Sequence, residues 1–222
     1  MTRDFGKISG QIDPSYFLGE LEKTVEKPQT VSFRRRNLPH WRVVDRPYFV
    51  TIRLKNSIPL NRLIEIKAIS EKIKSDDDNE EILNIQRNQF LKMEQILDSQ
   101  KENRFLENHE VAEMILDAFA MVEGKTLWRI ATAVVMPNHI HILMIGEKAN
   151  CGLDDCLKLL KGYTGRKSNQ ILQRNGAFWC PEYFDHWCRT PEKVEDVKRY
   201  IMNNPISAGL VTKTENWRWY YK

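Results

Sequence analysis

The chain has 222 residues, with 34 lysines and arginines against 30 aspartates and glutamates, so its formal net charge is +4. This length suits one domain with an elaboration or at most two small domains, and a hydrophobic fraction of 41% excludes wholesale disorder. The longest apolar stretch, residues 130–145, is broken by a proline, an asparagine and two histidines, so the sequence predicts no membrane-spanning segment.

The chain divides into two parts with different kinds of sequence. Residues 1–33 contain few periodic apolar positions and predict a poorly structured leader, whereas residues 34–222 are expected to form a single domain. A basic segment with Trp41 opens this domain. It runs into Tyr48–Leu54, whose β-branched and aromatic residues predict a strand.

The region of about 59–122 has apolar residues at helical spacing and predicts three helices. Its acidic run at 76–81 is typical of a solvated loop and of the first turn of a helix, and a metal role for it is the less favoured interpretation. One crossover helix needs fewer residues than this region has. The extra length of region 59–122 therefore predicts a helical insertion. Three roles are open for this insertion: it binds DNA, it binds a partner, or it only covers surface.

The rest of the chain alternates strands and helices. In chain order, this part of the sequence predicts a strand at 126–135, a turn at 136–138, a strand at 139–145, a helix at 153–172 and a short strand within 178–189. It also predicts a last helix that begins at Thr190-Pro191 and ends near Asn204, before Pro205. This order predicts an α+β fold in which helices pack on an antiparallel sheet.

The sequence His139-Ile140-His141 lies on the second of these central strands. Side chains two positions apart on a strand point to the same face, so both imidazoles can bind one divalent metal. An equally good interpretation from these residues alone is that the histidines only decorate a half-buried strand, because two ligands do not make a site.

Tyr200 and Asn204 lie one turn apart on the last helix and share a face of it. Val197 and Ile201 border the tyrosine and are expected to pack the helix on the sheet. Taken alone, a tyrosine beside an apolar arc is more often a core residue than a nucleophile. An asparagine before a proline is likewise more often a helix-terminating residue than a metal ligand.

Positive charge gathers in two segments, each with an aromatic residue nearby. The candidate DNA-binding residues are Arg34, Arg35, Arg36, Trp41 and Arg42 in the first segment and Lys158, Lys161, Arg166 and Lys167 in the second. Cations with interleaved aromatics suit a phosphate backbone and stacked bases. A solvated helix face and an arginine-rich leader remain the alternative.

Two motifs resemble those of a known family. The sequence V-V-M-P-N-H-I-H-I-L at 134–143 resembles the HUH motif (His, a hydrophobic residue, His) of single-tyrosine transposases, and R-Y-I-M-N-N-P-I-S-A-G-L-V at 199–211 resembles their tyrosine helix. The branch that they resemble most is that of the REP-associated tyrosine transposases, to which 35–41, 48–51 and 183–186 are also similar. The resemblance extends over about 34–217.

The resemblance implies a ferredoxin-like antiparallel sheet with helices on its faces. It implies that His139, His141 and Asn204 bind a divalent metal, Mg²⁺ or Mn²⁺, and that Tyr200 attacks single-stranded DNA to form a 5′-phosphotyrosine and a free 3′-OH. A phenol has a pKa of about 10 and needs such help at neutral pH. Tyr163 is a rival nucleophile, ranked lower, and His186 matches a family position without an assigned role.

The partner that the resemblance implies is single-stranded DNA with a palindromic hairpin, bound by a monomer or a homodimer. It also implies a bacterial, nucleoid-associated protein. The four cysteines form no C-x-x-C pair and the N-terminal residues have no signal-peptide core, which favours a cytoplasmic location. The alternatives are a non-catalytic or host-adopted hairpin-binding protein and another HUH nuclease of the replication-initiator or relaxase type.

Overall fold

The computed structural model describes residues 30–35, 39–43, 46–70, 79–146 and 149–221, and for 30–35, 39–42, 70 and 79–83 it describes the backbone alone. Within these ranges the strands are β1 (Thr30–Arg35), β2 (Pro39–Val43), β3 (Tyr48–Arg53), β4 (Arg129–Val135), β5 (His139–Ile145), β6 (Phe184–Trp187) and β7 (Tyr220–Tyr221). The helices are α1 (Leu60–Ser70), α2 (Asn79–Ser99), α3 (His109–Thr126), α4 (Leu153–Ile171) and α5 (Pro191–Ser207), with 3₁₀ turns at Phe105–Glu107 and Thr214–Asn216.

The main sheet is antiparallel and has the strand order β6-β3-β5-β4-β7. Without β7, the four strands alternate with helices as β-α-β-β-α-β, which is the ferredoxin-like arrangement. This confirms the predicted fold class. The sheet places β5, the strand of His139 and His141, between β3 and β4, where the backbone is paired on both sides.

Helices cover both faces of the main sheet. One face packs on α3 and α4 through residues such as Ile140 and Ile142, and these two helices complete the ferredoxin-like core. The opposite face packs on α2 and α5 through residues such as Phe49, Val134 and Leu143. Because side chains alternate along a strand, His139 and His141 point to this second face with Leu143. Among the described helices, none is long and apolar enough to span a membrane.

The predicted insertion divides into two parts. Its last helix, α3, is the crossover helix of the core, because it packs on the same face as α4. The additional part is the α1–α2 hairpin, in which Gln89 donates a hydrogen bond to the Ile66 carbonyl at 3.2 Å. Residues 71–78, which hold most of the predicted acidic loop, lie outside the described residues.

Two predicted boundaries are wrong. The strand predicted to begin at 126 begins at Arg129, because α3 continues to Thr126 and ends on Leu127, whose left-handed φ of 57° lets its amide bond to the Glu123 carbonyl. The last helix continues past Pro205 to Ser207. In the final turn a proline removes only one helical hydrogen bond, and the Ala208 amide still bonds to the Asn204 carbonyl at 2.9 Å.

A two-stranded hairpin was not predicted from the sequence. Strands β1 and β2 pair antiparallel, with Arg34 opposite His40 and Phe33 opposite Trp41. The first strand begins at Thr30, inside the range of the predicted leader. The remainder of that leader, residues 1–29, lies outside the described residues.

Candidate active site

The two histidines of β5 converge on one point. Their Nε2 atoms lie 3.0 Å apart, and the two side chains are 1% exposed or less. The spacing of two residues on a central strand produces this arrangement, because the pleat turns both imidazoles toward the face that α2 and α5 cover. The sequence prediction that His139 and His141 share a face is therefore matched by the geometry.

Each imidazole is oriented by a partner on its other nitrogen. The Asn138 side-chain oxygen lies 2.7 Å from His139 Nδ1, and Asn138 itself donates to the Leu97 carbonyl of α2 at 2.8 Å. Thr51 of β3 lies opposite His141 and places its hydroxyl 2.9 Å from His141 Nδ1. An amide oxygen only accepts, so His139 carries its proton on Nδ1 and directs the Nε2 lone pair into the site. Such partners are typical of metal-binding histidines.

A carboxylate that the sequence analysis did not select completes the cluster. Glu94 of α2 is 3% exposed, and its Oε2 atom lies 3.0 Å from His141 Nε2. Glu94, His139 and His141 each offer a ligand atom, and these atoms all lie within 4.8 Å of one another. Among the residues described, Glu94 forms its ion pair with a histidine and with no lysine or arginine.

Helix α5 brings Tyr200 and Asn204 to the same cluster. The hydroxyl of Tyr200 donates a hydrogen bond to Glu94 Oε2, and its ring packs edge-on to His141 with centroids 5.4 Å apart. Asn204, one turn later, is 2% exposed, and its side-chain oxygen has no hydrogen-bond partner among the described residues. The expected packing of Val197 and Ile201 is observed, since both are buried against the sheet.

Burial shifts the protonation of these groups in a consistent way. Desolvation, helped by His141, lowers the pKa of His139 to about 3, so the imidazole is neutral and its lone pair is available. Desolvation and the neighbouring Glu94 raise the pKa of Tyr200, so its phenol keeps its proton in this arrangement. Burial raises the pKa of Glu94, but the contacts with His141 outweigh it and hold the carboxyl ionised.

The residues present fit a divalent cation. Two imidazoles and one carboxylate supply nitrogen and oxygen ligands of the kind that Mn²⁺ and similar metals accept. Two further buried acceptors, Glu94 Oε1 and Asn204 Oδ1, have no hydrogen donor among the described residues. Buried acceptors of this kind are rarely left unsatisfied, and a cation would satisfy them.

The second basic segment lies on α4, across the sheet from the histidines. Lys158, Arg166 and Lys167 are exposed, and Lys161 is half-buried with its ammonium 2.7 Å from the Pro181 carbonyl. In the first segment Arg34, Arg35, Trp41 and Arg42 belong to the β1–β2 hairpin, whereas Arg36 lies outside the described residues. The four cations of α4 therefore lie outside the histidine cluster.

The other candidates of the sequence analysis lie outside the cluster. Tyr163 is half-buried on α4 and packs with the core of the opposite face of the sheet. His186 is buried on β6, where its Nε2 atom lies 3.3 Å from Arg189, and desolvation lowers its pKa to about 3. Neither side chain belongs to the group of Glu94, His139 and His141.

Comparison with known proteins identifies a family whose model covers the residues of this site. The model of the IS200-like transposase family matches residues 90–204, which is 115 of the 222 residues. The matched range begins within α2 and ends at Asn204, so it includes the whole cluster. No curated protein matches the chain.

Two solved structures are similar to this chain. One is described as a REP-associated tyrosine transposase bound to a REP hairpin; its TM-score is 0.53 at 15% identity, over 86% of this chain and 82% of that chain. The other, a candidate transposase from Deinococcus radiodurans R1, has a TM-score of 0.40 at 15% identity, over 73% of this chain and 93% of that chain. The first shows that the two folds are alike.

The fold and the paired histidines define a transposase domain of the HUH class. The chain belongs to the IS200-like transposase family. The resemblance of its two motifs to single-tyrosine transposases is thereby confirmed, and its fold is that of a REP-associated tyrosine transposase.

Proposed function

We propose that this transposase is a metal-dependent enzyme that cuts and rejoins single-stranded DNA near palindromic hairpins through a 5′-phosphotyrosine. The observation that supports the proposal most is the meeting of Tyr200 with His139 and His141 in one buried cluster, although Tyr200 lies 59 positions after His141 in the chain. A nucleophile beside a candidate metal site is the arrangement that phosphoryl transfer requires.

In this proposal His139, His141 and Glu94 hold the divalent metal, and Asn204 supplies a further oxygen. When bound, Mg²⁺ or Mn²⁺ supplies charge that polarises the scissile phosphate and offsets its developing negative charge. The partners Asn138 and Thr51 keep both imidazoles in the orientation that ligation requires.

Tyr200 carries the covalent step. Its hydroxyl oxygen forms a bond to phosphorus while the bond from phosphorus to the 3′ oxygen breaks. The leaving 3′ oxygen takes a proton from solvent water, which leaves a 5′-phosphotyrosine and a 3′-OH. Glu94 accepts the hydrogen bond of the hydroxyl and is placed to take its proton. The phosphotyrosine conserves the energy of the phosphodiester, so a later 3′-OH can rejoin the strand without ATP.

The cluster is closed in this structure. Tyr200 is 3% exposed and Asn204 2% exposed, and α2 lies over both histidines. A DNA strand cannot reach the hydroxyl of Tyr200 until the α1–α2 hairpin moves. We therefore propose that DNA entry displaces α2 and that Glu94 changes its contacts in that step.

The proposed DNA contacts are those of the two basic segments. We propose that the cations of α4 and of the segment at 34–42 contact the phosphates of a hairpin stem and that Trp41 stacks on a base. The structural relative is described with a REP hairpin bound, and we propose a hairpin of the same kind for this chain. A bacterial, nucleoid-associated location and action as a monomer or homodimer belong to the same proposal.

The decisive experiment uses end-labelled single-stranded DNA that contains a palindromic hairpin and its flanks. The chain is incubated with this DNA and Mn²⁺ or Mg²⁺ and separated on a denaturing gel. We expect a metal-dependent covalent adduct that Tyr200→Phe abolishes and that Tyr163→Phe retains. Binding of the hairpin by a metal-loaded chain without any adduct would favour the non-catalytic hairpin-binding alternative. Loss of the adduct in Tyr163→Phe alone would overturn the assignment of Tyr200.

A further inference from the structure

The α1–α2 hairpin leaves the core and returns to it at neighbouring points. The Leu54 amide, before its start, donates to the Asn138 carbonyl at 2.9 Å, and the Leu106 amide, after its end, donates to the Pro137 carbonyl at 3.1 Å. Both leucines are 1% exposed and belong to the core of the opposite face of the sheet. The hairpin is therefore held at the turn that precedes His139 on β5.

Each of the two connections contains an asparagine with a left-handed backbone. Asn56 has a φ of 62° and Asn103 a φ of 53°, and the Asn103 side-chain amide donates to the Asn56 carbonyl at 3.0 Å. In the described part of the chain, the other residues besides glycine with a positive φ are Leu127 and Gln173, which follow α3 and α4. The paired asparagines thus mark the base of the hairpin.

An asparagine in the left-handed region is well suited to a hinge. It tolerates this region better than most residues that carry a Cβ atom, and it also adopts the ordinary extended and helical regions. A change of φ at Asn56 and Asn103 therefore redirects the chain at low cost, as the few hinge positions of moving lids do. Lys55, directly before Asn56, is fixed to the core by a bond from its amide to the Phe178 carbonyl at 2.8 Å, so a movement begins at Asn56.

The hairpin is a unit that can move without unfolding. Its helices are joined by the hydrogen bond from Gln89 to the Ile66 carbonyl and by the ion pair of Lys92 with Glu65 at 3.4 Å. Neither contact involves the sheet. A rotation about the base of the hairpin therefore keeps α1 and α2 together.

Contacts with the core hold the hairpin closed in the free protein. Phe90 packs edge-on to Phe49 with centroids 5.5 Å apart, and the Leu97 carbonyl accepts a hydrogen bond from the turn before β5. At the first connection the Ser57 amide bonds to the Leu54 carbonyl at 3.2 Å. A movement exchanges these contacts for water or for DNA, so the open form is a minor state when no DNA is bound.

We propose that the α1–α2 hairpin is a lid that swings about Asn56 and Asn103. In the open form α2 carries Glu94 away, whereas the histidines of β5 and the tyrosine helix stay on the core. A DNA strand then reaches the hydroxyl of Tyr200. This inference rests on the proposed function for the purpose of the movement and adds the hinge to it, but the movement itself needs neither DNA nor metal.

A buried thiol on the inner side of the lid measures the opening. Met93 is 7% exposed and packs between α2 and the sheet, so Met93→Cys is labelled by a thiol reagent only when that cluster opens. When closing is faster than labelling, the labelling rate is proportional to the open fraction, however small. Cys156, 0% exposed in the core of the opposite face, reports global unfolding in the same sample.

Labelling is followed by peptide mass spectrometry with a chelator and without DNA. Thermal unfolding checks that each variant is folded, and Ile96→Cys, at a position 4% exposed in the same cluster, is the reporter if Met93→Cys does not fold. We expect the thiol of the lid to be labelled faster than Cys156, because opening of the lid leaves the rest of the core intact.

Substitution of the hinge is expected to change the labelling rate at position 93. Asn56→Ala and Asn103→Ala each raise it by about fivefold, because alanine is disfavoured in the left-handed region that the closed form requires. Asn56→Gly adopts that region without cost and is labelled no faster than the original hinge. The matched control is Asn150→Ala before α4, which also removes a bond from an asparagine amide to a carbonyl, that of Lys125 at 3.1 Å. It leaves the rate at position 93 unchanged.

Three outcomes would overturn the inference: labelling of position 93 only as fast as that of Cys156 in every variant, an unchanged rate at position 93 in both alanine variants of the hinge, or an equal rise in Asn150→Ala. None of them bears on the metal-dependent adduct of Tyr200, which is measured separately. A lid that opens as expected in a chain that forms no adduct would overturn the proposed function and leave the hinge standing.

Discussion

The hydroxyl of Tyr200 donates a hydrogen bond to the carboxylate of Glu94, 106 positions earlier in the chain. The same carboxylate oxygen lies 3.0 Å from His141. One side chain of the additional α1–α2 hairpin therefore contacts both the candidate nucleophile and a candidate metal ligand. The hairpin is part of the site and not only a covering of the sheet.

Replacing Glu94 tests whether its carboxylate binds the metal. We expect Glu94→Gln to lower the affinity for Mn²⁺ by about tenfold or more, because the amide keeps the shape but removes the negative charge. Isothermal titration calorimetry of the metal alone measures this. The control is Glu107→Gln, which changes an exposed carboxylate paired with Arg104. An unchanged affinity in Glu94→Gln would exclude Glu94 as a ligand.

The hydroxyl of Thr51 is expected to matter through His141. Thr51→Val conserves volume but leaves His141 Nδ1 without its partner at 2.9 Å. We expect the free energy of unfolding to fall by about 1–3 kcal/mol and Mn²⁺ affinity to fall as well. The control is Thr132→Val on β4, because the Thr132 hydroxyl donates to the Tyr221 carbonyl at 3.3 Å. This variant should lower the free energy of unfolding but leave Mn²⁺ affinity unchanged. Equal metal affinity in both variants would contradict an orienting role for Thr51.

The end of β5 leaves no room for a side chain at Gly146. A Cβ atom there would lie 2.6 Å from the Trp128 ring, which is buried and held by a bond from its indole to the Cys151 carbonyl. We expect Gly146→Ala to lower the free energy of unfolding by about 1–3 kcal/mol. In Gly124→Ala the space is open, and a gain of about 0.5–1 kcal/mol is expected. Denaturant unfolding of both variants measures these changes. Equal stability of Gly146→Ala and the original chain would mean that the Trp128 ring moves aside without cost.

Asp98, one turn after Glu94, should make stability depend on pH. Burial, and then the charge of Glu94, raises its pKa to about 8, well above its value in an unfolded chain. The folded state holds this proton where the unfolded state has lost it, so the contribution to stability is largest at low pH and is lost as pH rises toward about 8.

The variant Asp98→Asn keeps the neutral form at every pH. We expect it to match the original chain near pH 4 and to be more stable by roughly 2–4 kcal/mol near pH 8, measured by urea unfolding in the presence of a chelator. Asp117→Asn, an exposed change on α3, should show no such divergence. Parallel curves for the original chain and Asp98→Asn would mean that Asp98 ionises freely in the folded state.

Local spacing was sufficient to pair four of the five residues of the cluster. A spacing of two residues on a strand, or of four on a helix, places two side chains on the same face. The pairs His139 with His141 and Tyr200 with Asn204 could therefore be predicted before any contact was known. The order of strands and helices was likewise enough for an α+β fold with helices on an antiparallel sheet, whereas the ferredoxin-like form was implied by the resemblance to the transposase family. The predicted ends of helices were less accurate. The end of α3 depends on the left-handed cap at Leu127, and the end of α5 depends on how its final turn accommodates Pro205.

Glu94 could not be predicted in the same way. Its partners lie on β5 and α5, and no local pattern states which face of the sheet a long insertion covers. One signal was present in the sequence: Phe90, Met93 and Leu97 form an apolar arc of α2, and Glu94 is a charged residue beside that arc. A carboxylate buried beside an apolar arc requires an oppositely charged group, hydrogen-bond donors or a metal as its partner.

Both ends of the tyrosine helix are tied to the same sheet. The strand before α5 is β6, at one edge, and the chain after it returns to the other edge, where β7 pairs with β4 and the Tyr220 hydroxyl donates to the Met202 carbonyl of α5 at 2.6 Å. An exchange of this helix between two copies of the chain would have to break the C-terminal tether. Within the proposed function, this tether favours action of Tyr200 in cis, beside the histidines of its own chain.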